Sequence, residues 1–248
     1  MTHFRLEICC GSIEDAMEAE NGGADRVELC SALFLGGLTP SVGTIQEARR
    51  RLKIPIMVMV RPRAGGFAYS EAEMASMERD AEAAVGNGAD GVVFGILQSD
   101  GSIDVRRSAR IRQLIGKRQA VFHRAFDVTP DPFEALEQLI DLGITRILTS
   151  GQKDSVPEGV ELIRNLIERA GDRIEILPGG GIPVWNAKEI VERTGCRQLH
   201  LTAWRTVFDR STQARPAITF GGASYPPEDR YQVTDAKLVR ELSTKLRD

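Results

Sequence analysis

Apolar residues recur along the chain in two alternating rhythms. Short β-rich runs lie near 4–9 (FRLEIC), 25–30 (DRVELC), 55–61 (PIMVMVR) and 90–97 (DGVVFGIL). Four more lie near 119–125 (QAVFHRA), 145–150 (TRILTS), 173–178 (RIEILP) and 198–203 (QLHLTA). Between and after them, near 12–22, 41–52, 70–87, 104–117, 131–142, 156–169, 184–194 and 233–246, apolar positions follow a helical period. Ser12, Ser41, Ser70, Asp104 and Asp131 stand where N-caps belong, since a short side-chain oxygen there accepts from an otherwise unpaired N–H. Strands alternating with helices predict an α/β fold with a parallel sheet. Closing eight strands into a (β/α)8 TIM barrel removes the sheet edges. A doubly wound open sheet, which usually has fewer units, ranks second.

A weak internal repeat supports the barrel. Gly23-Ala-Asp-Arg-Val-Glu-Leu-Cys30 resembles Gly88-Ala-Asp-Gly-Val-Val-Phe-Gly95, and the segments 143–150 and 195–202 follow the same pattern. Each begins with a glycine suited to ending a helix in the left-handed conformation, then enters a strand of even number. Even strands supply one layer of side chains inside such a barrel, so Glu28, Val93, Leu148 and His200 are expected to face inward together. Cys30, Gly95, Ser150 and Thr202 follow two residues on, nearer the rim. The stretch 205–231, rich in Pro and Gly, departs from the rhythm and reads as an extended loop over the rim or at a subunit contact.

The length of 248 residues fits one barrel domain spanning 1–248. A net charge of −3 without a long basic run argues against a nucleic-acid partner. No apolar stretch reaches the roughly 18 residues of a membrane span, and MTHFRLEICCG lacks the pattern of a secretion signal, so a cytoplasmic location is expected. Cys9, Cys10, Cys30 and Cys196 form no CxxC pair; in a reducing compartment they are ligands, nucleophiles or small core residues rather than disulfides.

Barrel sites sit at the C-terminal ends of the strands, so polar residues there are the candidates for chemistry. Glu7-Ile8-Cys9 and Glu28-Leu29-Cys30 end strands 1 and 2 in parallel, and side chains two apart share a face. The plain reading is glutamates neutralising arginines beside small core cysteines; the functional one is paired carboxylates below paired thiols, needing a cation or a shared proton. Arg61 and Arg63 after strand 3 could clamp a carboxylate or phosphate, or merely neutralise Glu7 and Glu28. His123 shares an inner face with Val121, Arg124 has the opposite phase, and Asp127 could orient either. Ser150 and Lys153 follow strand 6, with Lys153 more a substrate contact than a Schiff-base nucleophile. Gly179, Gly180 and Gly181 follow strand 7, where backbone N–H groups often meet phosphate. Cys9 and Cys30 on adjacent strands could supply two thiolates to copper(I), whereas Cys9 and Cys10 face opposite ways. No organic cofactor is indicated. Two readings stay open: copper(I) binding, and proton transfer (an isomerase, lyase or hydrolase) on a small anionic or phosphorylated metabolite by Glu7, Glu28, Arg61, Arg63, His123, Asp127 and His200.

The strings LEICCGSIEDAMEAENGGADRVELCSALFLGGLTPS, VRPRAGGFAYS, GADGVVFGIL, VFHRAFD, RILTSGQ and LPGGGI occur in the order found in the CutC family, and the chain resembles it from about residue 4 to 205 and again at VTDAKLV. The resemblance implies a (β/α)8 barrel, a cytoplasmic homodimer or homotetramer, and an association with copper tolerance. The proposed copper(I) ligands of some members match Cys9 and Cys30. Two positions depart from the family pattern: Gly66, where many relatives carry an acid, and Leu201, where they tend to carry Ser or Cys beside His200. The region 206–231 is also divergent.

Overall fold

All five expected N-caps accept a bond from the first turn of their helix: Ser12 from Asp15, Ser41 from Thr44, Ser70 from Glu73, Asp104 from Arg107, and Asp131 from Phe133 and Glu134. The repeat glycines Gly23, Gly88, Gly143 and Gly195 all have positive φ, as a left-handed exit from a helix requires. The computed structural model, which describes residues 4–220 and 227–247, follows from these stops and starts. The first half runs β1 (Arg5–Cys10), α1 (Ile13–Asn21), β2 (Arg26–Leu29), α2 (Val42–Arg51), β3 (Ile56–Met59), α3 (Glu71–Gly86), β4 (Gly91–Phe94) and α4 (Val105–Leu114). The second half runs β5 (Gln119–Phe122), α5 (Pro132–Asp141), β6 (Arg146–Thr149), α6 (Val156–Ala170), β7 (Glu175–Pro178), α7 (Ala187–Thr194) and β8 (Gln198–Leu201). The chain then forms β9 (Trp204–Phe208), β10 (Arg230–Thr234) and α8 (Ala236–Arg247).

The first eight strands form one parallel sheet in the order β7-β6-β5-β4-β3-β2-β1-β8, and a parallel bridge between Gly179 and His200 brings β7 back to β8. The result is a (β/α)8 barrel. Ile8, Cys10, Leu29 and Val58 face outward into the main core under the helices. Cys9, Cys30, Met57, Met59, Val93, Val121, Leu148 and Leu177 form a second apolar cluster inside the barrel.

A charged layer closes the N-terminal end of the barrel interior. Arg26 bonds Glu7 and Gln198, while Arg146 bonds Glu175 and Gln119. Glu7, Arg26 and Arg146 are nearly inaccessible, so their mutual pairing is what makes their burial tolerable.

The region after β8 is more ordered than its composition suggests. Instead of one loop, β9 and β10 form an antiparallel ribbon, Trp204 opposite Thr234 and Phe208 opposite Arg230. Its end nearest the barrel is tied to α1, because the Thr234 N–H donates to Asp15. This places the start of the last helix at Ala236 rather than 233. Part of the expected loop, 221–226, lies outside the described residues.

Candidate functional site

The matching Glu-x-Cys motifs of β1 and β2 do not sit side by side. Parallel pairing staggers them: Glu7 lies level with Arg26, and Cys9 level with Glu28. Such a stagger is what closing and tilting the strands of a barrel demands. The expected pair of carboxylates below a pair of thiols is therefore a staircase, with Glu7 in the charged layer and Glu28 among the sulfurs. The counter-ion of Glu7 is Arg26, two residues before Glu28 on the same strand face, rather than Arg61 or Arg63.

Cys9 Sγ lies 3.4 Å from Glu28 Oε2, and Cys30 Sγ lies 3.5 Å from the same oxygen. His200 spans the two carboxylates, with Nδ1 2.8 Å from Glu7 Oε1 and Nε2 3.7 Å from Glu28 Oε2. Cys9, Glu28 and Cys30 each offer one donor atom within 4.8 Å of the others, and so do Glu7, Glu28 and His200. Glu28 belongs to both sets.

This crowding separates the titrations. The Cys30 thiol beside Cys9 outweighs burial and, with His200, brings Cys9 down to about 5. Cys30 itself is pushed up by its contact with Cys9 and by burial. Burial, reinforced by Cys9 and Glu7 against His200, raises Glu28 to about 8. Burial would also raise Glu7, but the Arg26 guanidinium and His200 hold its carboxyl well below the carboxylate range. For His200, burial favours the neutral ring and is overcome by Glu28, Cys9 and Glu7, which push it well above the usual imidazole value.

Arg61 enters the barrel mouth, but its guanidinium is committed to the loops. Its Nη1 donates to Leu35 O at 2.9 Å and Gly37 O at 3.2 Å, and its Nη2 to Gly65 O at 2.9 Å. The group also lies 5.3 Å from the Phe67 ring centroid. Arg63 does not join it, correcting the expected clamp. The ladder of β3 ends at Met59, so strand alternation no longer governs residue 63. Arg63 instead turns outward to Glu73, the capping-box residue of α3, and over the Tyr69 ring.

His123 Nδ1 accepts from the Ala125 N–H at 3.1 Å, capping the short 3-10 helix Arg124–Val128. Burial and the nearby Arg61 charge lower the ring to about 3, so it is neutral at physiological pH. Gly95 leaves the imagined space for a side chain to this ring, since a Cβ there would stand 2.4 Å from His123 Cε1. Asp127 makes neither a hydrogen bond nor an ion pair with His123. It accepts from Arg124 Nε at 2.8 Å, Thr149 Oγ1 at 2.5 Å and Ser150 Oγ at 2.8 Å, locking the loop after β5 to the end of β6. Ser150 is buried in that network and the Lys153 side chain is exposed; Lys153 contributes its carbonyl oxygen, which accepts from Arg124. Neither Ser150 nor Lys153 lines the barrel-mouth cavity.

A cavity of about 600 Å³ opens at this rim. Cys9 and Glu28 form part of its lining, with Arg61, His123, Arg124, Asp127, Gly180, Gly181 and His200. Gly179 is absent from the lining and packs instead against Leu148 and His200. Leu201 and Trp204 add apolar wall. Arg124 is the residue that strand phase concealed: once β5 ends at Phe122, the 3-10 turn swings its guanidinium over the mouth. Gly180, at φ +113°, makes room for it, since a Cβ there would stand 2.8 Å from Arg124 Nη1. A larger cavity of about 750 Å³ opens at the opposite, N-terminal end near Arg5, Glu175 and Gln198. None of the buried unpaired polar atoms among the described residues lines it. In this fold that end serves stability rather than chemistry.

Comparison with known proteins matches this geometry to a family. The chain is 51% identical over 246 residues to a family protein CutC of Treponema denticola, covering 98% of this chain and all of that protein. It is 44% identical over 241 residues to the human copper homeostasis protein cutC homolog, covering 97% of this chain and 88% of that one. The crystal structure of CutC from Streptococcus agalactiae superposes with a TM-score of 0.77 at 38% identity, covering 80% of this chain and 98% of that one. N-(5'-phosphoribosyl)anthranilate isomerase from Pyrococcus furiosus, at TM-score 0.56 and 13% identity over 98% of each chain, shares the barrel alone. The CutC family profile matches residues 4–205, which span all eight barrel strands and the whole thiol–carboxylate staircase, and the chain belongs to the CutC family.

Proposed function

We propose that this chain binds copper(I) as cargo, in the copper homeostasis role for which its human relative is named, through the sulfurs of Cys9 and Cys30 with Glu28 as an oxygen donor. The observation that carries the reading is the grouping of these three donors within 4.8 Å of one another beside an open cavity. Soft thiolates suit copper(I), and two sulfurs with one carboxylate favour it over harder ions. Cys9, brought to about 5, offers a thiolate at neutral pH, while Cys30 and Glu28 must release their protons as the metal arrives.

The proton-transfer reading has less support. Glu7 is neutralised by Arg26, and His123 is held neutral with one nitrogen occupied by a cap. The four free thiols support a cytoplasmic location, and the exposed Trp185, Phe208 and Phe220 support a homodimer or homotetramer. Fractionation placing the protein outside the cytoplasm would count against the first, and a monomer mass by light scattering against the second. Among the described residues no helix is long and apolar enough to cross a membrane.

The test is an anaerobic copper(I) titration under reducing conditions against a competing chelator, with wild type and Cys9→Ser/Cys30→Ser. Stoichiometric binding that disappears in a folded double variant is the expected result. Binding indifferent to the two thiols overturns the reading.

A further inference from the structure

Among the described residues three buried polar atoms on side chains lining the barrel-mouth cavity make no hydrogen bond, His123 Nε2, Arg61 Nε and Glu28 Oε1; the Tyr69 hydroxyl, outside that lining, also neighbours the Arg61 guanidinium. His123, Arg61 and Glu28 are 4%, 7% and 2% exposed. Buried polar groups are rarely left unpaired, because each one forfeits its hydration without compensation. Three around one cavity mark a place where something else supplies the missing bonds.

Their polarity describes that occupant. His123 Nδ1 is the acceptor of the Ala125 N–H, so its Nε2 carries the hydrogen and is a donor. Arg61 Nε–H is a second donor. The Arg124 guanidinium is a third group at the same mouth, fixed by Asp127 and Ser150 through Nε and Nη2, with Nη1 toward Gly180. The charges then limit the choice. Arg124 is offset by Asp127 at 2.8 Å. The hydrogen-bond partners of the Arg61 guanidinium are three carbonyl oxygens, and among the described residues no carboxylate pairs with it. One buried positive charge at this mouth thus lacks a counter-charge, which a monoanion would supply and a dianion would exceed. Glu28 Oε1 remains to meet a hydroxyl. The cavity volume lies within the usual range of small-molecule sites.

We propose that the barrel-mouth cavity binds a small hydroxylated monocarboxylate, its carboxylate held by Arg61, His123 and Arg124 and a hydroxyl by Glu28. This site borders the proposed copper site and shares Glu28 with it, the sulfurs meeting Oε2 and the hydroxyl meeting Oε1, so it is tested on metal-free protein.

The test is calorimetric titration of metal-free protein, in chelator and reductant, with glycerate and gluconate as probes and glycerol 3-phosphate as the dianionic comparison. His123→Asn keeps an acceptor for the Ala125 N–H and deletes the Nε2 donor; Arg61→Lys keeps the charge and deletes the Nε donor. Arg63→Ala, outside the cavity, is the control. Saturable binding of either carboxylate, weakened about tenfold or more by His123→Asn and unchanged by Arg63→Ala, is expected. If His123→Asn fails to fold, Arg61→Lys carries the same comparison. Absence of carboxylate binding up to about 10 mM, binding indifferent to both variants, or binding of glycerol 3-phosphate alone overturns the proposal.

Discussion

Replacing Glu28 by Gln should flatten the dependence of folding stability on pH. The Glu28 carboxyl rises from 4.5 to about 8 on folding, chiefly through burial. A raised acid keeps, in the native state, a proton that the unfolded chain has already released. Stability therefore falls as pH rises from the unfolded value toward the folded one, and levels off above it. Each unit in that window costs about 1.4 kcal/mol. Between roughly pH 6 and pH 9 the ionisation of Glu28 alone removes about 2 to 3 kcal/mol from wild type. Gln keeps the shape and hydrogen-bonding capacity of the protonated acid and cannot ionise, so the variant escapes this loss. His200, raised on folding, also loses stability as pH climbs past its unfolded value, so the comparison rests on the difference between the two proteins rather than on either slope alone. The assay is urea unfolding near pH 6 and near pH 9, with reductant and a copper chelator. Parallel losses in the two proteins would refute the claim that Glu28 carries its proton into the native state.

Glu7→Ala should destabilise the fold by about 3–5 kcal/mol at neutral pH, because it strands Arg26 and His200 without their buried counter-charge; a loss below about 1 kcal/mol in the same unfolding assay would contradict that role. Gly180→Ala should cost about 1–3 kcal/mol, since φ is +113° and the new Cβ meets Arg124, and a thermal-shift measurement showing no change would refute the close approach. Arg63→Ala should cost less than about 1 kcal/mol, the usual limit for a partly exposed pair, and leave the copper(I) titration unchanged. A large loss of copper affinity would return Arg63 to the site.

Legibility in the sequence followed the reach of each local rule. Capping chemistry is settled within a few residues, and Ser12, Ser41, Ser70, Asp104 and Asp131 all act as caps. The repeat glycines and strand alternation placed Glu28, Val93, Leu148 and His200 inside the barrel, because period-two geometry is intrinsic to a strand. Register is a relation between strands, and no single motif reports it. Two matching Glu-x-Cys strings look like equal rungs, yet closure shifts one against the other by two residues, so that one oxygen of Glu28 meets both sulfurs. Phase also expires where pairing does. Arg63 stands four residues beyond the end of β3 and turns outward, while Arg124, two beyond β5, turns over the mouth with the apparent wrong parity. Rim residues that define a barrel site sit where the ladder has stopped. Their direction is set by turns and by partners far along the chain, such as Ser150 for Arg124 and Gly37 for Arg61. The rule that finds the inner layer thus loses force at the last strand residue, and the side chains that shape the cavity begin one or two residues later.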